Sequence, residues 1–152
     1  MANSGGNLVD FLAQNKVSKN AVLIELKTPT TSLLGTQYRG NVFNISKELS
    51  GAIIQISNYK YSLQSEYFTL KQQSIAEFDS FEPACVVVAG NFAREMDDPS
   101  KVKSFELFRS HLFGIEIITY DELFGKVKLL IDLLEGNLAS TKASDNEDDV
   151  PF

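Results

Sequence analysis

The run "ACVVVAG", Ala84 to Gly90, restricts the fold more than any other stretch of this chain. Small and β-branched residues without a single charge suit a strand buried on both faces, and Pro83 and Gly90 bound it. Helical patterns stand before and after it, so the class it predicts is α/β.

The chain around it supplies the rest of a mixed sheet flanked by helices. "NLVDFLAQ" (Asn7 to Gln14) alternates as a strand does, with Leu8, Asp10 and Leu12 on one face and Val9, Phe11 and Ala13 on the other. "QNKVSKN" reads as a turn into a second strand, Ala21 to Thr28, which Thr28-Pro29 ends because proline offers no ladder donor. The Thr/Ser/Gly-rich segment to Gly40 predicts a loop.

From Ile45 to about Gln73, apolar residues recur at helical spacing, and Gly51 within that pattern suits close packing against the sheet. "DDPSKVKSFELFRSHL" opens as a helix does, Ile115 to Thr119 is a strand, and a last helix ends at Gly136. The order is β-β-α-β-α-β-α, with no internal repeat. At 152 residues, 43% hydrophobic and with 11 Phe, the chain suits one domain, residues 1–136, followed by a small, polar, acidic tail, 137–152.

Several classes are excluded. Cys85 is the sole cysteine, so neither a disulfide framework nor a thiolate metal site can form within one chain, and its apolar neighbours make it a core residue. No apolar run approaches a membrane span, and the Met-Ala-Asn-Ser-Gly-Gly start lacks the regions of a signal peptide, which points to the cytoplasm. The net charge of -6 does not exclude nucleic acid: without Asp145, Glu147, Asp148 and Asp149, 16 acids face 14 bases.

The chemistry lies in "AVLIELKTP", where Glu25 and Lys27 interrupt an apolar strand and share a face with Leu23. A hairpin centred near Val17-Ser18 pairs residues whose numbers sum to about 35, which sets Asp10 opposite Glu25. Facing carboxylates repel unless one is protonated or a cation sits between them, and oxygen ligands without thiolate or imidazole point to Mg²⁺ or Mn²⁺. Lys27 could position an attacking water or stabilise charge on a phosphodiester oxygen. The competing reading is an exposed edge-strand ion pair with Asp10 as a solvated neighbour. In "QISNY", Gln55 and Tyr59 share one face of the next helix, where an amide can hold a ligand or water without adding charge.

These residues resemble the PD-(D/E)xK nuclease superfamily and, within it, the Shedu anti-phage defence nuclease domain. The stretches that carry the resemblance are "GGNLVDFL", "VLIELKTP", "AIIQISNYK", "VVVAGN" and "IEIITYDEL". It implies a restriction-endonuclease-like fold, Asp10 and Glu25 as metal ligands, Lys27 as the catalytic lysine and Gln55 as an active-site residue. It also implies DNA as substrate and a homo-oligomer in the full-length protein. The superfamily core places a helix and a strand before the aspartate strand; only nine residues precede Asp10, so either the chain is a fragment cut from a larger protein or those elements are absent.

Arg39, Lys47, Arg94 and Arg109 are candidate phosphate contacts, Arg39 foremost because it lies between the catalytic strand and the helix. His111, near a helix end, suits a cap. The terminal "DNEDDVPF" resembles the C-terminal tip of bacterial single-stranded-DNA-binding proteins. By that resemblance Asp148, Asp149, Val150, Pro151 and Phe152 form a docking peptide for a partner that captures such tips. The body lacks the many short strands of an OB-fold. Two functions follow: a Mg²⁺-dependent endonuclease, or a catalytically incomplete nuclease-fold module that binds DNA and is recruited through its tip.

Overall fold

The computed structural model describes residues 9–73 and 79–136 of the chain. The docking peptide, Asp148 to Phe152, lies outside them.

Four strands form one sheet in the order β1 (Phe11–Gln14), β2 (Asn20–Leu26), β5 (Asp79–Val88) and β6 (Ile115–Ile118). β1 runs antiparallel to β2, whereas β2, β5 and β6 are mutually parallel, so the sheet is mixed. The hairpin takes the register that its alternation predicts: Phe11 pairs with Ile24 and Gln14 with Ala21, and Asp10, one residue before the ladder begins, bonds through its carboxylate to the Leu26 amide. β2 is therefore an interior strand with Glu25 buried, which overturns the exposed edge-strand pair, while Asp10 is exposed as that alternative expected.

Helix α1 (Lys47–Ser65) lies across β2 and β5. Its Leu49, Ala52, Ile53, Ile56, Tyr59 and Leu63 are buried, and opposite them β2 presents Ala21, Leu23 and Glu25 while β5 presents Cys85 and Val87. The helix starts two residues later than its periodicity suggests. Ser46 is the N-cap, its Oγ accepting from the Leu49 amide at 3.0 Å and donating to the Ser32 carbonyl at 2.5 Å. The single helix expected to Gln73 breaks at Glu66, with α2 (Tyr67–Gln73) beyond.

The segment expected to be a loop to Gly40 contains a strand. β3 (Leu34–Arg39) and β4 (Val42–Ile45) form a two-stranded hairpin that turns at Gly40, whose φ of +53° suits glycine. Beyond Leu34, β3 is exposed throughout, so it has no apolar alternation to betray it. β5 also begins earlier than Pro83, and its register against β2 is irregular between Asn20 and Val22, beside the proline that cannot donate to the ladder.

The remaining elements are α3 (Phe92–Glu95), α4 (Pro99–Ser110) and α5 (Tyr120–Leu134). Asp98 caps α4 ahead of Pro99, and Thr119 forms a capping box with Glu122 at the start of α5. His111 is the C-cap residue of α4, its Nδ1 2.6 Å from the Leu107 carbonyl. Cys85 is buried, and desolvation pushes its thiol pKa up, as expected of a core cysteine. Helix α5 buries no residue at all: Phe124, Val127, Leu130, Ile131 and Leu134 are exposed along it. Among the described residues no helix is long and apolar enough to cross a membrane.

Two glycines separate by geometry. A Cβ on Gly51 would meet nothing within 4 Å, so the close packing expected there does not occur. A Cβ on Gly90, at φ +62°, would stand 2.6 Å from the Thr31 carbonyl oxygen and 2.8 Å from the Leu33 side chain. Gly51→Ala is expected to raise stability by about 0.5–1 kcal/mol through helix propensity. Gly90→Ala is expected to lower it by about 2–3 kcal/mol, through overpacking and the left-handed backbone. Urea denaturation of both variants checks the pair.

Candidate active site

The parallel strands β2, β5 and β6 all end at one side of the sheet, where loops leave them, and Glu25 and Lys27 lie at that side. The alternation of β2 turns Glu25 under α1, where it is 1% exposed; Lys27, one residue past the strand, remains 30% exposed. Its ammonium donates to Glu25 Oε1 at 2.6 Å. The other carboxylate oxygen, Glu25 Oε2, is buried without a hydrogen-bond partner. Asp10 closes the outer side: its Oδ2 accepts from the Leu26 amide at 2.7 Å, which ties the start of β1 to the end of β2.

Tyr59 and Gln55 reach the same place from α1. Tyr59 is 8% exposed and its hydroxyl lacks a well-formed hydrogen bond. Burial raises the Tyr59 pKa above its ordinary value; the neighbouring Gln55 amide opposes this, while Glu25 and Asp10 add to the rise and Lys27 subtracts from it. Five side chains, Asp10, Glu25, Lys27, Gln55 and Tyr59, thus share one electrostatic environment.

Lys27 is fixed by its backbone. Its N–H donates to the Val88 carbonyl at 2.8 Å, and its own carbonyl accepts from the Tyr120 hydroxyl at 2.7 Å. The loop that follows folds back: the Gly90 amide donates to the Thr28 carbonyl at 3.1 Å, and Glu95 accepts from the Leu33 and Leu34 amides at 2.8 and 2.7 Å. Asp121 holds the other end of α3, accepting from the Phe92 and Ala93 amides at 2.9 Å each. None of these supports was assigned a role from sequence. Tyr120 and Asp121 lie within the quoted "IEIITYDEL", and that motif is the one signal that marked them.

The candidate phosphate contacts divide. Arg109 pairs with Glu106 and Glu122 at 2.6 and 2.8 Å and lies over the Phe105 ring, a structural role. Arg94 donates to the Thr30 carbonyl at 3.3 Å and so holds the loop after Lys27. Arg39 ends the exposed strand β3 and forms no ion pair among the described residues.

The residues fit a hard divalent cation. A buried carboxylate oxygen without a donor is costly, and a cation or water beside it relieves that cost. Among the described residues no three His, Cys, Asp or Glu side chains gather as a metal cage. A site of two carboxylates completed by water suits Mg²⁺, which keeps much of its hydration shell.

Fold and site together define a mixed-sheet α/β domain with a Glu-x-Lys pair, its glutamate buried, and a nearby aspartate, where its parallel strands end. Residues 2–124 match the family described as Shedu protein SduA, C-terminal, and the chain belongs to that family. It is 47% identical over 140 residues to Shedu protein SduA of Bacillus cereus (strain B4264). That match covers 88% of this chain and 37% of the relative's length.

The support under the site is testable by pH. Burial works against the Asp121 carboxylate, yet hydrogen bonds from Thr119 and from the Ala93 and Phe92 amides hold its pKa down to about 2. A depressed folded-state pKa contributes stability above the ordinary aspartate value of about 3.9, lost as pH falls through about 2. Asp121→Asn is therefore expected to melt lower than the unmutated chain at pH 6, with the difference shrinking between about pH 4 and 2. Thermal melts across that range check it.

Proposed function

We propose that this chain is a PD-(D/E)xK-type nuclease domain that hydrolyses DNA phosphodiesters with Mg²⁺ or Mn²⁺, in the cytoplasm, as part of anti-phage defence. The observation that carries the reading is the buried Glu25 carboxylate, with one oxygen 2.6 Å from the Lys27 ammonium and the other without a partner. A charge so placed is expensive for stability alone.

In this reading Asp10 and Glu25 hold the cation. When bound, it supplies Lewis-acid stabilisation to the phosphoryl oxygens. Lys27 Nζ, partly open to solvent, donates to the attacking water and to the oxygen that gains charge. Gln55 orients water or a phosphate oxygen without altering the charge balance, and Tyr59 closes the inner wall. Arg39, exposed on β3, is a contact to the DNA backbone. The apolar face of α5 supports self-association of the full-length protein, and the tip from Asp148 to Phe152 recruits a partner that captures such termini.

The test uses supercoiled plasmid with Mg²⁺ or Mn²⁺. The unmutated chain is expected to produce nicked and linear DNA, and Glu25→Gln and Lys27→Ala to reduce cutting by about 1,000-fold or more. Equal cutting by Lys27→Ala overturns the assignment. Cation binding has its own readout. At about 100 times Kd a bound ion adds about 2.7 kcal/mol to stability, so Mn²⁺ is expected to raise the Tm of the unmutated chain but not of Glu25→Gln.

The alternative, a binding module without cleavage, draws on the two-carboxylate site: among the described residues no third acid, histidine or cysteine joins it. It predicts DNA binding without cutting, and loss of partner binding when Pro151 and Phe152 are deleted.

A further inference from the structure

We propose that Tyr120 is a positioning residue for Lys27, and that the start of α5 is thereby part of the catalytic apparatus. The inference rests on the nuclease reading above and goes beyond it, because Tyr120 touches neither carboxylate.

A lysine side chain has four rotatable bonds, so its ammonium is only as well placed as its Cα and its partner allow. β2 stops at Leu26, and Lys27 stands outside the regular ladder. Its peptide groups are nevertheless bonded on both sides: the N–H to Val88, and the carbonyl to the Tyr120 hydroxyl at 2.7 Å, across 93 residues of sequence. Proline follows two residues later and contributes no donor that could restore the ladder. The Tyr120 hydroxyl therefore does for the Lys27 carbonyl what a neighbouring strand would otherwise do.

Tyr120 is itself held. Its amide donates to the Gly90 carbonyl at 3.1 Å, and the Gly90 amide donates to the Thr28 carbonyl, so the residues after Lys27 and the first residue of α5 meet on one glycine. Asp121, next in sequence, caps α3, and Glu95 at the far end of α3 grips Leu33 and Leu34. The loop from Lys27 to Leu34 is bracketed by one ring of hydrogen bonds that begins and ends on α5. Removing the Tyr120 hydroxyl leaves the Lys27 carbonyl to water and frees the peptide between Lys27 and Thr28 to rotate. A displacement of the ammonium by about 1 Å is enough to cost about 100-fold in rate.

The test is Tyr120→Phe in the full chain, which keeps the ring and removes the donor. Plasmid cleavage is expected to lose about tenfold in kcat with KM within about twofold, because the DNA-contacting surface is unchanged. Hydrogen exchange of the peptide spanning Lys27 to Leu33 is expected to accelerate about tenfold while α1 keeps its protection, which separates local positioning from general loosening. Unchanged kcat and unchanged exchange, beside a Lys27→Ala control that no longer cuts, overturn the positioning role and leave the nuclease reading standing. Accelerated exchange throughout α1 also overturns it, as a general loss of stability. Failure of the unmutated chain to cut overturns the nuclease reading, and the positioning role of Tyr120 with it.

Discussion

The structure is organised around one buried charge. Glu25 sits on the covered face of an interior strand, 1% exposed, in a row whose other members are Ala21 and Leu23. A carboxylate there has to be balanced, and the fold supplies half the balance: Lys27 reaches Oε1, and Oε2 is left without a donor. Only the end of the strand permits this arrangement. Two residues earlier, the same acid would sit among the core side chains with no lysine able to reach it from beyond the ladder.

The surrounding architecture is a set of constraints on that strand end. α1 closes the site from one side with Tyr59 and Gln55, and its own start is fixed by Ser46, which bonds to the loop through the Ser32 carbonyl. α3 has four residues, too few to be stable as an isolated helix, and it persists because Asp121 caps one end while Glu95 is anchored to the loop at the other. Gly90 lets β5 approach that loop so closely that no other residue fits without movement. Each device acts on the few residues after Leu26.

The parts of this arrangement that were legible in sequence are those with short-range periodicity. The alternation of "NLVDFLAQ" and "AVLIELKTP" set the hairpin register, Phe11 against Ile24 through Gln14 against Ala21, because a slip by one residue would have turned every apolar side chain outward. Asp98-Pro99 and Gly136 marked helix ends for local steric reasons. The β3–β4 hairpin escaped because its exposed face carries no apolar pattern, and the break at Glu66 because the apolar spacing runs across it. The bonds from Tyr120 to Lys27 and from Glu95 to Leu33 join residues far apart in sequence, where periodicity carries no information.

The sign of the field in the site orders the events of the proposed reaction. Tyr59 reports it: once burial and the Gln55 amide are set aside, Glu25 and Asp10 each push its phenol pKa up by more than Lys27 pulls it down. Two carboxylates against one ammonium leave a net negative charge, which repels a phosphodiester anion most strongly beside the buried Glu25. A divalent cation, were Asp10 and Glu25 to hold one, would reverse that sign. In the nuclease reading, then, the cation precedes the DNA, and Lys27 can act on the phosphate because the carboxylate it would otherwise serve has a second counter-charge. The raised pKa of Tyr59 comes first from its burial, with Glu25 and Asp10 adding to it, and the unpartnered Glu25 oxygen marks where a positive charge would lower the cost of both.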